Sequence, residues 1–166
     1  GLLKNWGATK YRNWYLGDWA TPKGINQKDP QSIDIVSNCV LSESYLTMSK
    51  IANVLGYKAD ADEYLQKHKS QNQLIHKSFF DNKTKSYSSG TQIDIVYPMY
   101  VGATPQSEID NVEKSLWTRT IEQFKGHLAT GLVGIPIITQ WATREGKAEE
   151  MYQMLKKREY PGYLYM

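Results

Sequence analysis

Six segments with helical hydrophobic spacing follow one another along this chain of 166 residues, and they are of two alternating kinds. The first, third and fifth segments are apolar on more than one side, whereas the second, fourth and sixth carry a single apolar stripe. A helix with one stripe covers a core from outside, and a helix that is apolar nearly all round is buried between layers. The alternation therefore predicts an all-α fold of three inner/outer antiparallel helix hairpins.

The whole chain, residues 1–166, reads as part of one domain, with residues 1–36 mostly irregular and six helices over residues 37–158. The predicted helices cover about 37–55, 60–79, 91–101, 107–124, 133–144 and 147–157. Capping-box-like starts are predicted at Asp60 and at Ser107. The third segment has a β-branched run and contains Pro98, so a strand is an alternative there, but the flanking helices favour a helix.

Loop lengths alternate as well. The turns inside each hairpin are short, whereas the connections into each inner helix are longer or richer in glycine and aromatic residues. Alternate loops of antiparallel hairpins lie at the same end, so four stretches should converge on one face: 17–19, 88–92, 126–131 and 160–163. Functional residues are frequent on loops that a rigid scaffold holds, and the site is therefore predicted on this face.

Charge and hydropathy exclude several classes of partner. The net charge is +3, from 20 basic and 17 acidic residues without a dense basic stripe, which argues against nucleic-acid binding. No apolar run reaches the ~18 residues of a membrane span, and the first residues lack the layout of a signal peptide. The chain begins as though cut from a longer protein. The location of that parent protein is not predicted, and a periplasmic or secreted location in a bacterium is one alternative.

Metal and cofactor chemistry is not expected from this composition. Cys39 is the single cysteine, so neither a disulfide within the chain nor a cysteine-based zinc site is predicted, and Cys39 is interpreted as a core residue. His68 and His76 are too far apart for a metal-binding pair on one helix turn and are interpreted as structural or surface residues. Residues 131–134 lack the lysine and preceding strand of a nucleotide-binding loop, and no cofactor is predicted.

Three residues on the converging loops are candidates for ligand contact. The face of Trp19 can stack on the C–H-rich face of a sugar while the neighbouring carboxylate of Asp18 accepts hydroxyl hydrogen bonds, although the pair can equally plug the mouth of the fold. His127 lies between glycines, where it can act as a neutral donor and acceptor or as a structural histidine. The 12 Tyr and 5 Trp against 3 Phe favour half-wet surfaces of this kind.

Three stretches together resemble glycoside hydrolase family 78, the bacterial α-L-rhamnosidases. They read YLGDWATP at 15–22, YSSGTQ at 87–92 and GHLATGLVGIP at 126–136, and the ending at 159–166 also fits. The resemblance implies an (α/α)6 toroid of which this chain forms the C-terminal half. It also implies removal of terminal α-L-rhamnose by inversion, which uses two carboxyl groups roughly 6.5–9.5 Å apart.

In that family the general acid precedes the Gly-Asp-Trp segment and the general base follows the Tyr-Met ending. The resemblance therefore implies that this chain contains no catalytic residue and is inactive alone. It implies that Trp19 packs on the rhamnose ring, with Asp18 and His127 as pocket-lining residues. No metal ligand is implied.

Two other functions stay open at this point: a helical-repeat scaffold that binds a partner peptide on its concave face, and a related (α/α)6 glycosidase for another sugar. The expected ligand is a rhamnose-containing carbohydrate. Because half a toroid leaves apolar surface uncovered, the chain is also expected to self-associate or to pair with the missing half.

Overall fold

The computed structural model describes residues 1–4, 17–22 and 30–165, except for the side chains of 30–32. The helices are α1 Pro30–Val54, α2 Lys58–Phe79, α3 Gln92–Tyr100, α4 Ile109–Glu122, α5 Gly134–Arg144 and α6 Ala148–Leu155, with 3-10 turns at Gln106–Glu108 and Tyr163–Tyr165. Two short strands, β1 Phe80–Asp81 and β2 Ser86–Tyr87, pair antiparallel with Phe80 opposite Tyr87. The mostly helical fold is confirmed, and the sequence pattern did not predict this small hairpin.

The predicted division into inner and outer helices is confirmed by the contacts between elements. Helix α3 packs on both α1 and α5, and each outer helix, α2, α4 or α6, packs on the inner helix that precedes it. In α3 all residues from Gln92 to Met99 are buried, whereas α4 buries only Val112, Leu116 and Thr120. The inner helix α3 is thus covered on several sides, and the outer helix α4 presents one stripe to the core.

Helix α1 begins at Pro30, seven residues before the predicted start, so the expectation of irregular chain up to residue 36 is wrong for 30–36. A proline suits the first helical turn because its fixed φ is helical and its missing N–H would have had no partner there. The following Ile33, Ile35 and Val36 are buried. Burial of these side chains stabilises a helix that begins earlier than the sequence pattern predicted.

The two predicted capping boxes are not formed. Helix α2 begins at Lys58 after Tyr57, which makes no side-chain cap hydrogen bond, and Glu63 pairs with Lys67 at 2.6 Å instead of reaching back. Helix α4 is preceded by a 3-10 turn, and Glu108 at its N-cap is already in a helical conformation. A capping side chain needs an extended backbone at the cap position, and neither Tyr57 nor Glu108 has that conformation.

Helix α3 is formed as expected in spite of Pro98, and Thr91 caps it by accepting the Asp94 backbone N–H at 3.3 Å. The interpretation of Cys39, His68 and His76 as core, structural or surface residues is also confirmed. Cys39 is fully buried. His68 is buried with its Nδ1 2.9 Å from Ser42 Oγ, and His76 places its Nδ1 2.8 Å from the Tyr87 hydroxyl.

One long face of α1 is exposed in the part of the chain that the structure describes. Five apolar side chains are exposed there, four on α1 and one directly after its end, and we call them the exposed α1 stripe: Val40, Met48, Ile51, Val54 and Leu55. The sequence pattern predicted the first helix to be buried between layers, which is wrong for this face, since Met48 and Leu55 are 41% and 63% exposed. The opposite side of α1 packs on α2 through small and polar residues such as Ser49, which donates to the Ala61 carbonyl at 2.8 Å.

Candidate functional site

The loops that precede the inner helices meet at one end of the fold, as predicted. The Trp19 carbonyl accepts the Leu132 backbone N–H at 2.8 Å, which joins residues 17–22 to the loop before α5. Gln92 bonds to the same loop at His127 and Ala129. We call residues 126–134 the central loop, because the other stretches at this end contact it.

Asp18 lies inside this junction. It is 7% exposed, and its Oδ2 accepts the Gly131 N–H at 2.7 Å while its Oδ1 accepts those of Val133 and Gly134 at 3.1 and 2.7 Å. Val133 is the N-cap of α5 and Gly134 its first residue, where the helix dipole favours a negative charge. Burial raises the pKa of the Asp18 carboxyl above its ordinary value, and the three backbone hydrogen bonds act against that rise.

Two glycines of the central loop permit this close approach. A Cβ on Gly131 would overlap the Trp19 carbonyl oxygen and lie 2.9 Å from the Asp18 carbonyl oxygen. A Cβ on Gly134 would lie 2.6 Å from Thr130 Cβ and 2.7 Å from Asp18 Oδ2. Because backbone atoms form much of this contact, a side chain could be accommodated only by opening the junction.

The backbone of Trp19 is fixed by hydrogen bonding, whereas its side chain is exposed. Its residue is 53% exposed although its carbonyl is hydrogen-bonded and the preceding Asp18 is buried. Positive φ angles at Gly17 and Ala20, 57° and 62°, turn the chain sharply on either side. The aromatic residues Tyr11, Trp14 and Tyr15, which precede this turn in the sequence, lie outside the described residues.

His127 occupies the first part of the central loop and is only 3% exposed. Its Nε2 lies 3.7 Å from Glu159 Oε1, and its Nδ1 has no hydrogen-bond partner among the described residues. Thr130 Oγ1, in the same loop, is likewise buried without a partner among the residues that the structure describes. Two buried polar atoms of one loop are therefore left for a partner that the described chain does not supply.

The stretch after α6 joins the same end of the fold. Glu159 approaches His127, and the Gly162 N–H bonds to the Glu159 carbonyl at 2.7 Å. The pKa of the Glu159 carboxyl is held below its ordinary value by a hydrogen bond from the Glu159 backbone N–H and by the nearby Lys157 and His127. Exposed aromatic residues follow, with Tyr160 and Tyr165 5.7 Å apart between ring centroids.

Residues 88–92, which were predicted to lie among the converging loops, make contacts of different kinds. Thr91 caps α3, and Ser89 Oγ donates to Asp94 Oδ2 at 2.6 Å. Gln92, which was predicted at this face as part of 88–92, makes the contacts to the central loop. Its partners in that loop could not be predicted, because they lie 35 and 37 positions away in the chain.

A groove of about 650 Å³ lies in the outer layer between α4 and α6, with Trp117, Ile121 and Met154 among its lining. The basic residues 156–158 follow the end of α6 at its rim. Gly126 and Glu159 also line this groove, so it adjoins the first part of the central loop, whereas Asp18 is not among its lining residues. Nowhere in the described ranges do three or more His, Cys, Asp or Glu side chains form a cluster that could hold a metal ion. Among the helices described, none has the length and apolarity for crossing a membrane.

Comparison with known proteins gives the family. Residues 3–166 match the model of the bacterial alpha-L-rhamnosidase 6 hairpin glycosidase domain. An alpha-L-rhamnosidase of Alteromonas sp. (strain LOR) is 27% identical over 157 residues, which are 90% of this chain and 17% of that protein. The chain thus spans about a sixth of the length of the curated relatives that it matches.

Solved structures show the same fold. An alpha-L-rhamnosidase from Dictyoglumus thermophilum matches with a TM-score of 0.82 at 28% identity, over 95% of this chain and 18% of that one. A Streptomyces avermitilis alpha-L-rhamnosidase complexed with L-rhamnose matches with a TM-score of 0.74 at 23% identity, over 90% of this chain and 14% of that one. The chain therefore belongs to the bacterial alpha-L-rhamnosidase six-hairpin glycosidase domain family.

Proposed function

We propose that this chain supplies one wall of the sugar pocket in an inverting α-L-rhamnosidase, with Trp19 as its main sugar contact. The observation that carries the proposal is an exposed indole on a backbone that is fixed at both the Asp18 carboxylate and the Trp19 carbonyl. A large aromatic face held in place binds a ligand with little loss of conformational entropy. The Streptomyces avermitilis neighbour, which shares the fold, is complexed with L-rhamnose.

Asp18 and His127 serve the proposed pocket in different ways. Both oxygens of the Asp18 carboxylate are engaged by backbone N–H groups, so Asp18 acts by holding Trp19 and the start of α5 together. His127 is 3% exposed and its Nδ1 is buried without a partner among the described residues, so His127 is assigned to the polar wall of the pocket and not to the sugar-facing surface. Trp19 then provides the apolar sugar contact, and His127 lines the pocket from inside the central loop.

Proton transfer is assigned to parts of the parent protein outside this chain. Inversion requires one carboxylic acid that protonates the leaving oxygen and one carboxylate that activates water on the opposite side of the sugar. The family resemblance places the first before the Gly-Asp-Trp segment and the second after the Tyr-Met ending. This chain alone would bind part of the sugar and would not hydrolyse it. A periplasmic or secreted parent would meet such substrates outside the cytoplasm.

The exposed α1 stripe is proposed as the surface that the preceding hairpin of the same domain covers. Val54 is 86% exposed and Leu55 63% exposed, at the end of a helix whose other side is in the core. Exposed apolar surface of this extent favours association. In the isolated chain a second copy would take the place of the missing hairpin.

Hydrolysis of an aryl α-L-rhamnoside tests the proposal. A protein containing all six hairpins should release the aryl group, the 166-residue chain alone should not, and the chain mixed with the other half should recover activity. Turnover by the chain alone that Trp19→Ala abolishes would contradict the inactive-half proposal. Activity of the six-hairpin protein on another aryl glycoside, without activity on rhamnosides, would assign a different sugar specificity.

A further inference from the structure

Gln92 is a buried amide at the contact between α3, α4 and the central loop. It is 1% exposed, and its Nε2 donates to Thr120 Oγ1 and to the His127 carbonyl, both at 3.0 Å. Its Oε1 accepts the Ala129 N–H at 2.7 Å, and Met154 Sδ lies 3.8 Å from Nε2. Both amide N–H groups and the oxygen are therefore used inside the protein.

The central loop depends on such partners because it lies outside the regular helices. Buried backbone N–H and C=O groups that no helix or sheet satisfies must bond to side chains or water. Gln92 hydrogen-bonds to the backbone of His127 and Ala129, and Asp18 hydrogen-bonds to the backbone of Gly131 and Gly134. Two buried side chains, one at the start of α3 and one in the turn that carries Trp19, thus hold the central loop at its two ends.

We infer that Gln92 is a positioning residue for the proposed sugar site, acting through the backbone of His127. The inference rests on the proposed function, because it assigns Gln92 the task of fixing a residue that lines the sugar pocket. Thr91 makes the cap of α3, so the Gln92 side chain is not needed to begin that helix. Its hydrogen bonds fix the carbonyl of His127, and the ring of His127 then lies beside Glu159.

Two substitutions separate the donor and acceptor functions of the amide. Gln92→Glu has nearly the same shape and keeps an acceptor for the Ala129 N–H, but it loses the donors to His127 and Thr120. Gln92→Met has a similar length and loses both functions. Should the buried charge of Gln92→Glu prevent folding, Gln92→Met still tests the inference.

Nuclear magnetic resonance of the 166-residue chain gives the first readout. In Gln92→Met, the ring signals of His127 should shift and the Ala129 amide should exchange with solvent about tenfold faster, because one buried hydrogen bond is lost. His68 and His76 provide internal references whose signals should stay in place. In Gln92→Glu, the His127 signals should shift while Ala129 stays protected.

Gln71→Met is the matched control. Gln71 is 4% exposed, and its Nε2 donates to Asn38 Oδ1 at 2.7 Å, in contact with α1 and away from the central loop. This variant should lose stability without moving the His127 signals. Unchanged His127 and Ala129 signals in Gln92→Met would overturn the inference, as would an equal response of His127 to Gln71→Met.

Kinetics of the six-hairpin protein connect the positioning to the sugar. Because His127 is assigned to binding rather than to proton transfer, Gln92→Met should raise KM about tenfold and leave kcat within about twofold. Shifted His127 signals with an unchanged KM would overturn the role of Gln92 at the sugar site. A failure of the proposed function would appear differently, as sugar binding that is indifferent to Trp19→Ala.

Discussion

Asp18 accepts the backbone N–H of Gly134 at 2.7 Å, across 116 positions of the chain. This hydrogen bond ties the turn that carries Trp19 to the first residue of α5. Gly131 and Val133 donate to the same carboxylate. The exposed indole and the start of an inner helix are therefore parts of one rigid junction.

Removing the charge of Asp18 should loosen this junction. Asp18→Asn replaces one acceptor oxygen by an NH2 group that faces backbone N–H donors, and it removes the negative charge at the start of α5. We expect the free energy of unfolding to fall by about 2 kcal/mol in urea titrations.

Asp110→Asn is the control for this change, since Asp110 is an exposed acid in the first turn of α4. It should cost about 0.5 kcal/mol. Equal losses in the two variants would show that the Asp18 carboxylate has no special structural role.

A methyl group at Gly131 should open the junction by steric overlap. Gly131→Ala places Cβ against the Trp19 carbonyl, and the backbone on both sides must shift. We expect a loss of about 3 kcal/mol in the free energy of unfolding, together with a change in tryptophan fluorescence.

Gly56→Ala provides the comparison, because a Cβ there meets nothing within 4 Å although φ is +83°. The strain of the positive φ alone should cost about 1 kcal/mol. If Gly131→Ala is tolerated better than Gly56→Ala, the close packing of Gly131 on Trp19 is wrong.

His76 should make the stability of the chain depend on pH. Burial lowers the pKa of His76 below its ordinary value of 6.5, with the charge of Glu108 acting against this shift. Between the folded and unfolded pKa values the unfolded chain binds more protons, so stability is lost as the pH falls through about 6.5. Urea unfolding from pH 7.5 to 5.5 should show this loss, and His76→Asn should reduce it. An identical pH profile for the variant would contradict the assignment.

The exposed α1 stripe should drive association of the isolated chain. Sedimentation velocity should detect dimers or larger species, and the double substitution Ile51→Lys and Val54→Lys should shift them toward monomer. The free energy of unfolding should stay within about 0.5 kcal/mol, because both side chains are exposed.

Ile121→Lys is the control for the stripe, since Ile121 is 68% exposed on the outer helix α4. It should leave association unchanged. A stable monomer of the unsubstituted chain at high concentration would contradict the half-toroid account.

The layers of the fold were predictable because burial leaves a periodic pattern. All residues of α3 from Gln92 to Met99 are buried, and α4 buries a stripe at Val112, Leu116 and Thr120, which are the two patterns of an inner and an outer helix. The convergence of the loops followed from the alternation of antiparallel helices. Both inferences use local spacing, which a single sequence contains.

The contacts inside the site correspond to no periodic pattern in the sequence. Asp18 bonds to residues more than 100 positions away, and Gln92 bonds to residues 35 and 37 positions away, so neither partner could be read from neighbouring residues. Asp18 was predicted as a sugar contact because a carboxylate beside a tryptophan is typical of sugar sites, whereas the structure surrounds it with backbone donors. The first helix was likewise predicted to be buried between layers because it is apolar on more than one side, whereas the exposed α1 stripe lies along one of those sides.

Rhamnose binding by a protein that contains all six hairpins tests the central proposal most directly. Calorimetry should show that Trp19→Ala weakens rhamnose binding by about tenfold or more, whereas Tyr152→Ala, which removes an exposed ring on α6, leaves it unchanged. Equal binding by the Trp19→Ala variant and the unsubstituted protein would contradict the assignment of this face to the sugar.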